Sequence, residues 1–573
     1  MPLRAAGFSV LAALLAACGG GGGATTQSAA VVPVSGITQP ASSGGPVAYM
    51  QTSGFSSSGS ITKGSSSAIV AIMSGDASAQ ESYQADTFTV SSSAPAAASA
   101  VRTAHIASAP EHPHAIEAFP ADDSALLSKL ALQRTNAAPA PAPRRIASIP
   151  ANPAVGTQSS IWVQQGGYAG RSNVQVPATL VAQSAHGNIW AQSTLVSQLS
   201  GNEAQLTSAF ENAYASDTAN FASADYSSSA PGLQPQYTTC SSSGAHQGTA
   251  PAYISEPSDK RINVMIVDSS TLGGLGGYFT GANFMTQGSL NCLGSGYESN
   301  QAPFIFVGWF SSYGLQYELR EDYVRSTAHE LQHLINFVNH SLLASAASSA
   351  SYNGNESQYV NEGLSMLAQD FAVQRLYGAQ FDSADALQRA KAYLANPGAF
   401  SVSGFSGIDS PSWGGNGSTA QTNCSGGCYG GTYLLMRYLR DRFGASFTHG
   451  METSGTTGAA NLQTVTGESA GNLMGDFALA MAAATLNVAP SDQRFAFGTL
   501  NLHGSYTDQF GSTLTLDGLN ATPAGGSATA VNAPVGGFGF VLLPSVPSSG
   551  MNVQVTDQAT VGGFSLQGGL AQH

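Results

Sequence analysis

The chain has 573 residues, too many for one ordinary core, so three or so folding units are expected. Only 9% of the residues are charged, and 19 Lys and Arg against 33 Asp and Glu leave a net charge of −14. That balance argues against a nucleic-acid partner, which needs basic patches, and the Gly, Ser and Ala that replace charge indicate a soluble chain.

The first segment reads as an export signal. Arg4 gives a positive start, Phe8 to Ala17 form an apolar run too short to span a bilayer, and Leu15-Ala16-Ala17-Cys18 ends it. Small residues before a cysteine resemble a bacterial lipobox, which implies cleavage before Cys18 and a lipid on that residue. Residues 1–18 are therefore expected to be a lipoprotein signal, followed by the flexible run Gly19 to Gly23. Gly19 is not Asp, so an outer-membrane or surface address in a bacterial envelope is favoured over inner-membrane retention.

Residues 19–155 are rich in Gly, Ser, Ala and Pro and read as a tether. Ser67 to Met73 and Asp86 to Val90 could place a small β module within it. A peptidase-like texture then begins, with an N-terminal part at 156–260. Ile161 to Val163, Val174 to Val181 and Asn188 to Trp190 look like strands, and Leu195 to Phe221 like an amphipathic helix. Over 261–490 the pattern gives buried strands at Arg261 to Asp268 and Phe304 to Phe310. Helices follow from Glu321 to Val338, Gln358 to Leu376, Gly431 to Phe443 and Ala470 to Leu486. Residues 491–573 alternate in short segments (Thr513 to Leu516, Phe538 to Leu543, Asn552 to Val555) and read as a separate β-rich domain. The expected fold class is α+β and zincin-like: a mixed-sheet upper lobe, a site helix and a mainly helical lower lobe, with flanking β-rich segments.

The chemistry sits in Ser326-Thr327-Ala328-His329-Glu330-Leu331-Gln332-His333-Leu334-Ile335-Asn336. Helical residues four apart lie one above the other, so His329 and His333 can present two imidazoles to one tetrahedral Zn2+. Glu330 is offset toward the open coordination position, where a general base would take a proton from a metal-bound water. A third histidine in the metzincin register fails, because 336 and 339 are both Asn; His340 reads as a surface residue. Downstream, Asn361-Glu362-Gly363 opens another amphipathic helix, with Glu362 placed to be the carboxylate ligand.

His329 to Phe337 and Asn361 to Asp370 together resemble the hyicolysin family of bacterial metallopeptidases. Val176 to Val181, Ile189-Trp190 and Gly277-Tyr278-Phe279 agree with it, over roughly residues 155 to 490. The resemblance implies a secreted zinc endopeptidase of the gluzincin type acting on proteins or peptides, with two His and one Glu as ligands and the motif Glu as base. Thermolysin-like enzymes place an Asp four residues after the ligand Glu, where this chain has Met366; Asp370 is two turns along. Gly296 to Asn300 only faintly echoes the amine-binding segment of aminopeptidases and reads as a surface loop. An oxyanion donor is sought in Tyr433 or Tyr429.

With Cys18 lipidated, four cysteines remain, and proximity favours pairing Cys240 with Cys292 and Cys424 with Cys428. A different class of function, a lipid-anchored scaffold or adhesin on a zincin fold without turnover, suits the low charge. The presence of both histidines, Glu330 and Glu362 speaks against it.

Overall fold

A computed structural model describes residues 152–165, 172–225, 259–287, 298–343, 356–403, 424–525, 528–534 and 537–543, a few single positions, and strands within 47–92, 116–118, 551–557 and 564–572. Cys18, Cys240 and Cys292 lie outside the described residues, as does the side chain of Cys424. Cys428 is disulfide-bonded. No helix of the described residues is long and apolar enough to cross a membrane.

The architecture is mixed α+β. One seven-stranded sheet runs, in spatial order, Ile116–Ala118, Leu275–Phe279, Phe304–Trp309, Ile262–Asp268, Gly187–Gln192, Ser172–Gln183 and Gln158–Gln165. Its centre is parallel: Val264 pairs with Ile305 on one side and with Ile189 on the other. Leu275–Phe279 is antiparallel to Phe304–Trp309, with Gly277 opposite Val307. The apolar run Val264 to Val267 follows from this placement, because a central parallel strand is covered on both faces. Val264, Ile266, Ile305 and Val307 face the helices. Met265, Val267, Phe304 and Phe306 face a second core with Ile161, Leu180 and Trp190.

The helices are α1 (Glu203–Asn220), α2 (Tyr323–Asn336), α3 (Gln358–Tyr377), α4 (Ala384–Ala395), α5 (Cys424–Phe443), α6 (Ala445–Thr453), α7 (Gly458–Thr466) and α8 (Ala470–Thr485). The helix expected from Leu195 to Phe221 is split, because Gly201 takes φ +85° between a short turn at Val196–Leu199 and α1. Every residue of α2 is buried, and π-helical turns flank it at Glu318–Asp322 and Phe337–Leu343. Arg325 ties α2 to α4 by ion pairs to Asp322 (2.7 Å) and Asp385 (3.4 Å), all three buried.

The strand pairing crosses the boundaries expected from sequence. The strands described within 47–92 and those within 522–572 combine in two five-stranded sheets, where a tether and a separate β-rich domain were expected. One is Val47–Tyr49, Phe564–Gln572, Ala68–Asp76, Phe538–Leu543 and Thr522–Pro523; the other is Ala528–Pro534, Ala85–Ser92, Met551–Asp557, Ser56–Ile61 and Gln51–Ser53. Ala68, Val70 and Ile72 meet Val90, Val531, Val541, Val553 and Val555 in a shared core. Ile69, Ala71 and Met73, on the opposite face, join the main core with Phe538 and Phe540. Periodicity marks a strand but carries no information on a partner so distant in sequence.

Two smaller expectations also change. His340 is buried, with Nε2 2.8 Å from the Met451 carbonyl, rather than at the surface. Ser299 and Asn300 are buried too; the Asn300 side chain accepts from Trp162 N and donates to Trp162 O, bracing a neighbouring strand.

Candidate metal centre

Helix α2 presents His329 and His333 one turn apart, with ring centroids separated by 4.7 Å. Helix α3 crosses it and brings Glu362 Oε2 to 3.2 Å from His329 Nε2 and 3.6 Å from His333 Nε2. A tetrahedral ion with bonds near 2.05 Å has ligand-to-ligand edges of about 3.3 Å, so these separations suit a zinc-sized cation. Among the described residues this is the group of His, Cys, Asp and Glu side chains whose donor atoms converge, all within 4.8 Å. The close approach of α3 to its other neighbour depends on Gly363, where a Cβ would lie 2.8 Å from the Thr432 carbonyl of α5.

The protonation states suit a metal. Burial would raise the Glu362 carboxyl, but the His333 and His329 imidazoles hold it down at about 2. Burial lowers His333 below its ordinary value, outweighing the pull of Glu362. An ionised carboxylate beside a neutral imidazole is the form that binds a divalent cation.

Each histidine is held from behind. His333 Nδ1 lies 3.1 Å from Asn361 Oδ1 and 3.0 Å from Ser365 Oγ. Ser365 donates to Gln332 Oε1, and Gln332 Nε2 donates at 2.7 Å to Glu452 of α6. Asn336 Nδ2 donates to the other Glu452 oxygen at 2.9 Å. His329 Nδ1 is 3.0 Å from the Gln369 amide, which in turn meets Ser383 Oγ at 3.1 Å. With Nε2 turned to a metal, His329 would carry its proton on Nδ1, and Gln369 would accept it with its amide turned by a half-rotation.

Sequence reasoning missed Ser365, Gln369, Gln332 and Glu452. A signal existed for two of them: Ser365 and Gln369 follow Glu362 by three and seven residues, a polar stripe on an otherwise apolar helix. Asp370, the residue considered for this supporting role, turns elsewhere. It accepts from Arg437 Nη1 at 2.7 Å and from Ser383 N at 2.8 Å.

Glu330 lies against the strand Leu275–Phe279, for a Cβ at Gly277 would stand 2.8 Å from its Oε1. The two tyrosines considered as oxyanion donors meet other groups. Tyr433 donates to Asp370 Oδ2 at 2.6 Å, and Asp370 is eight residues beyond Glu362, about 12 Å along the helix. Tyr429 is buried under Arg389, whose guanidinium carbon stands 4.8 Å from the ring centre. Arg437, one turn after Tyr433, and Arg389 of α4 draw the two phenols into buried charge networks. A further buried carboxyl, Asp217 of α1, is pushed well up by burial, which outweighs the pull of His329.

No family model matches this chain, and no curated protein matches it.

Proposed function

We propose that the chain is a zinc-dependent peptidase of the gluzincin type that hydrolyses peptide bonds of extracytoplasmic proteins. The observation that carries this reading is the convergence of His329, His333 and Glu362, with Glu330 on the same helix against a sheet strand. The resemblance to hyicolysin-type enzymes supports it, as does a mixed sheet whose strands Phe304–Trp309 and Leu275–Phe279 pack on helix α2. A lipid on Cys18 would hold it at the bacterial envelope.

Zn2+ bound there would supply Lewis acidity, polarising the scissile carbonyl and acidifying a water. Glu330 takes the proton from that water and delivers it to the departing amine. The Asn361, Ser365 and Gln369 contacts keep both imidazoles turned toward Glu362 throughout.

Metal content and casein hydrolysis, measured together with and without a zinc chelator, test the reading. One zinc per chain with chelator-sensitive cleavage is expected. Glu330→Gln keeps the metal and loses hydrolysis; a variant cleaving at the parental rate refutes the assigned base. The scaffold reading draws on one observation, the full burial of all four groups. Zinc without cleavage, in a chain whose site has been opened, would favour it.

A further inference from the structure

The strand Leu275–Phe279 has Phe304–Trp309 on one side and the three residues Ile116–Ala118 on the other. Without those three residues it would be the edge of the seven-stranded sheet. An edge strand presents unpaired N–H and C=O groups, a template on which an extended chain adds as a further strand. This strand also touches the proposed base, since Gly277 lies against Glu330. A peptide laid on its outer edge would therefore run beside the reacting groups. His329, Glu330, His333 and Glu362 are all fully buried, so no polypeptide reaches them in this arrangement.

We propose that residues 116–118 fill in cis the place an extended peptide must take beside Glu330, and that the site works only after they leave. The inference rests on the peptidase reading for the identity of the displaced ligand. The edge pairing itself does not.

The pairing has the features of a removable strand. It is three residues long, and it is parallel, the weaker arrangement per residue. Its register slips between Leu275, opposite Ile116, and Gly277, opposite Glu117. The main sheet does not need it, because the seam between Leu275–Phe279 and Phe304–Trp309 buries Tyr278 against Phe306, with ring centroids 4.3 Å apart. Displacement would expose backbone of one strand without opening that core.

The test uses the full chain with Glu117→Pro and Ala118→Pro together. Adjacent amides point to opposite sides of a strand, so the pair removes whichever one faces Leu275–Phe279. Amide hydrogen exchange of residues 275–279 is compared between parent and variant. A synthetic peptide of residues 115–122, which omits His112 and His114 and so cannot bind zinc through them, is titrated into both. Casein cleavage and zinc content are measured alongside.

Faster exchange at 275–279 and peptide binding to the variant alone are expected. Cleavage should rise about tenfold or more, the scale of losing one or two net backbone hydrogen bonds. Unchanged exchange with no difference in peptide binding overturns the proposal, whatever the cleavage rate. Cleavage that is measurable and equal in parent and variant, once the edge has opened, also overturns it. An opened edge that binds the peptide, in a zinc-loaded chain where neither form cleaves, supports the occupancy and sinks the peptidase reading instead.

Discussion

Replacing Gln369 by Leu tests the support behind the metal centre without touching a ligand. Leu is close to Gln in volume, so the α3 packing survives, but two contacts go: the one to His329 Nδ1 and the one to Ser383 Oγ. His329 Nδ1 then loses its Gln369 partner inside a buried site. Leaving one such group unsatisfied costs about 1–3 kcal/mol. When that cost falls on the geometry His329 needs to bind, it corresponds to roughly ten- to a hundredfold in metal affinity, the range found for outer partners of metal-bound histidines. Competition with a chromophoric zinc chelator at neutral pH measures it. Gln374→Leu is the control: Gln374 lies on the same helix but its amide donates to Asp382 at 2.7 Å, away from the histidines. A folded Gln369→Leu chain binding zinc as tightly as the parent would refute the argument, and equal weakening in both variants would mean a general loosening of α3.

Tyr433→Phe should lower casein cleavage by less than about threefold, because its hydroxyl is committed to Asp370; an oxyanion donor would cost a hundredfold or more. Its loss should appear as reduced stability instead, near 1 kcal/mol in urea. A hundredfold fall in kcat would restore Tyr433 to the chemistry. Stability of the metal-free chain should fall as pH rises from 5 to 8. Burial, reinforced by Glu356, raises the Glu452 carboxyl to about 8 against its amide partners, and burial raises Glu321 to about 7. Between the unfolded value near 4.5 and these values the folded chain keeps protons that the unfolded chain has released, so raising the pH favours unfolding by up to about 1.4 kcal/mol per unit for each group. Urea midpoints at the two pH values check this, and Glu452→Gln should flatten the slope; a higher midpoint at pH 8 in the parent would refute the assignment.

The His329–His333–Glu362 cluster was legible because its parts are local. Two histidines at helical spacing need only the helix, and α2 is where the apolar pattern puts it. Glu362 at the start of the next helix was legible for the same reason, and its meeting with the histidines follows once α2 and α3 cross. The supporting shell was readable in part: Ser365 and Gln369 sit on the Glu362 face of α3, but attention went to Asp370, one residue round. Tyr433 illustrates the limit. Its distance from Glu362 in sequence says nothing of which way the phenol turns, and the competing attraction of Asp370 and Arg437 decides that in three dimensions. Helix α4 went unread although Ser383 caps it, accepting from Ala386 N. The run Ser67 to Met73 suggested a small β module, yet nothing local could say that its neighbours are Phe538–Leu543 and Phe564–Gln572.

That last arrangement bears on how the protein is made. Ribosomes deliver Ala68–Asp76 long before either of its sheet neighbours, Phe538–Leu543 and Phe564–Gln572. Throughout that interval, an apolar strand suited to a double-sided core waits for both of those neighbours. Slow, non-local closure of this kind leaves a nascent chain open to aggregation. The two five-stranded sheets thus close like a clasp around everything made in between. A chain stalled before residue 538 would have a complete α2 and α3 and still lack both strands that hold Ala68–Asp76 in place.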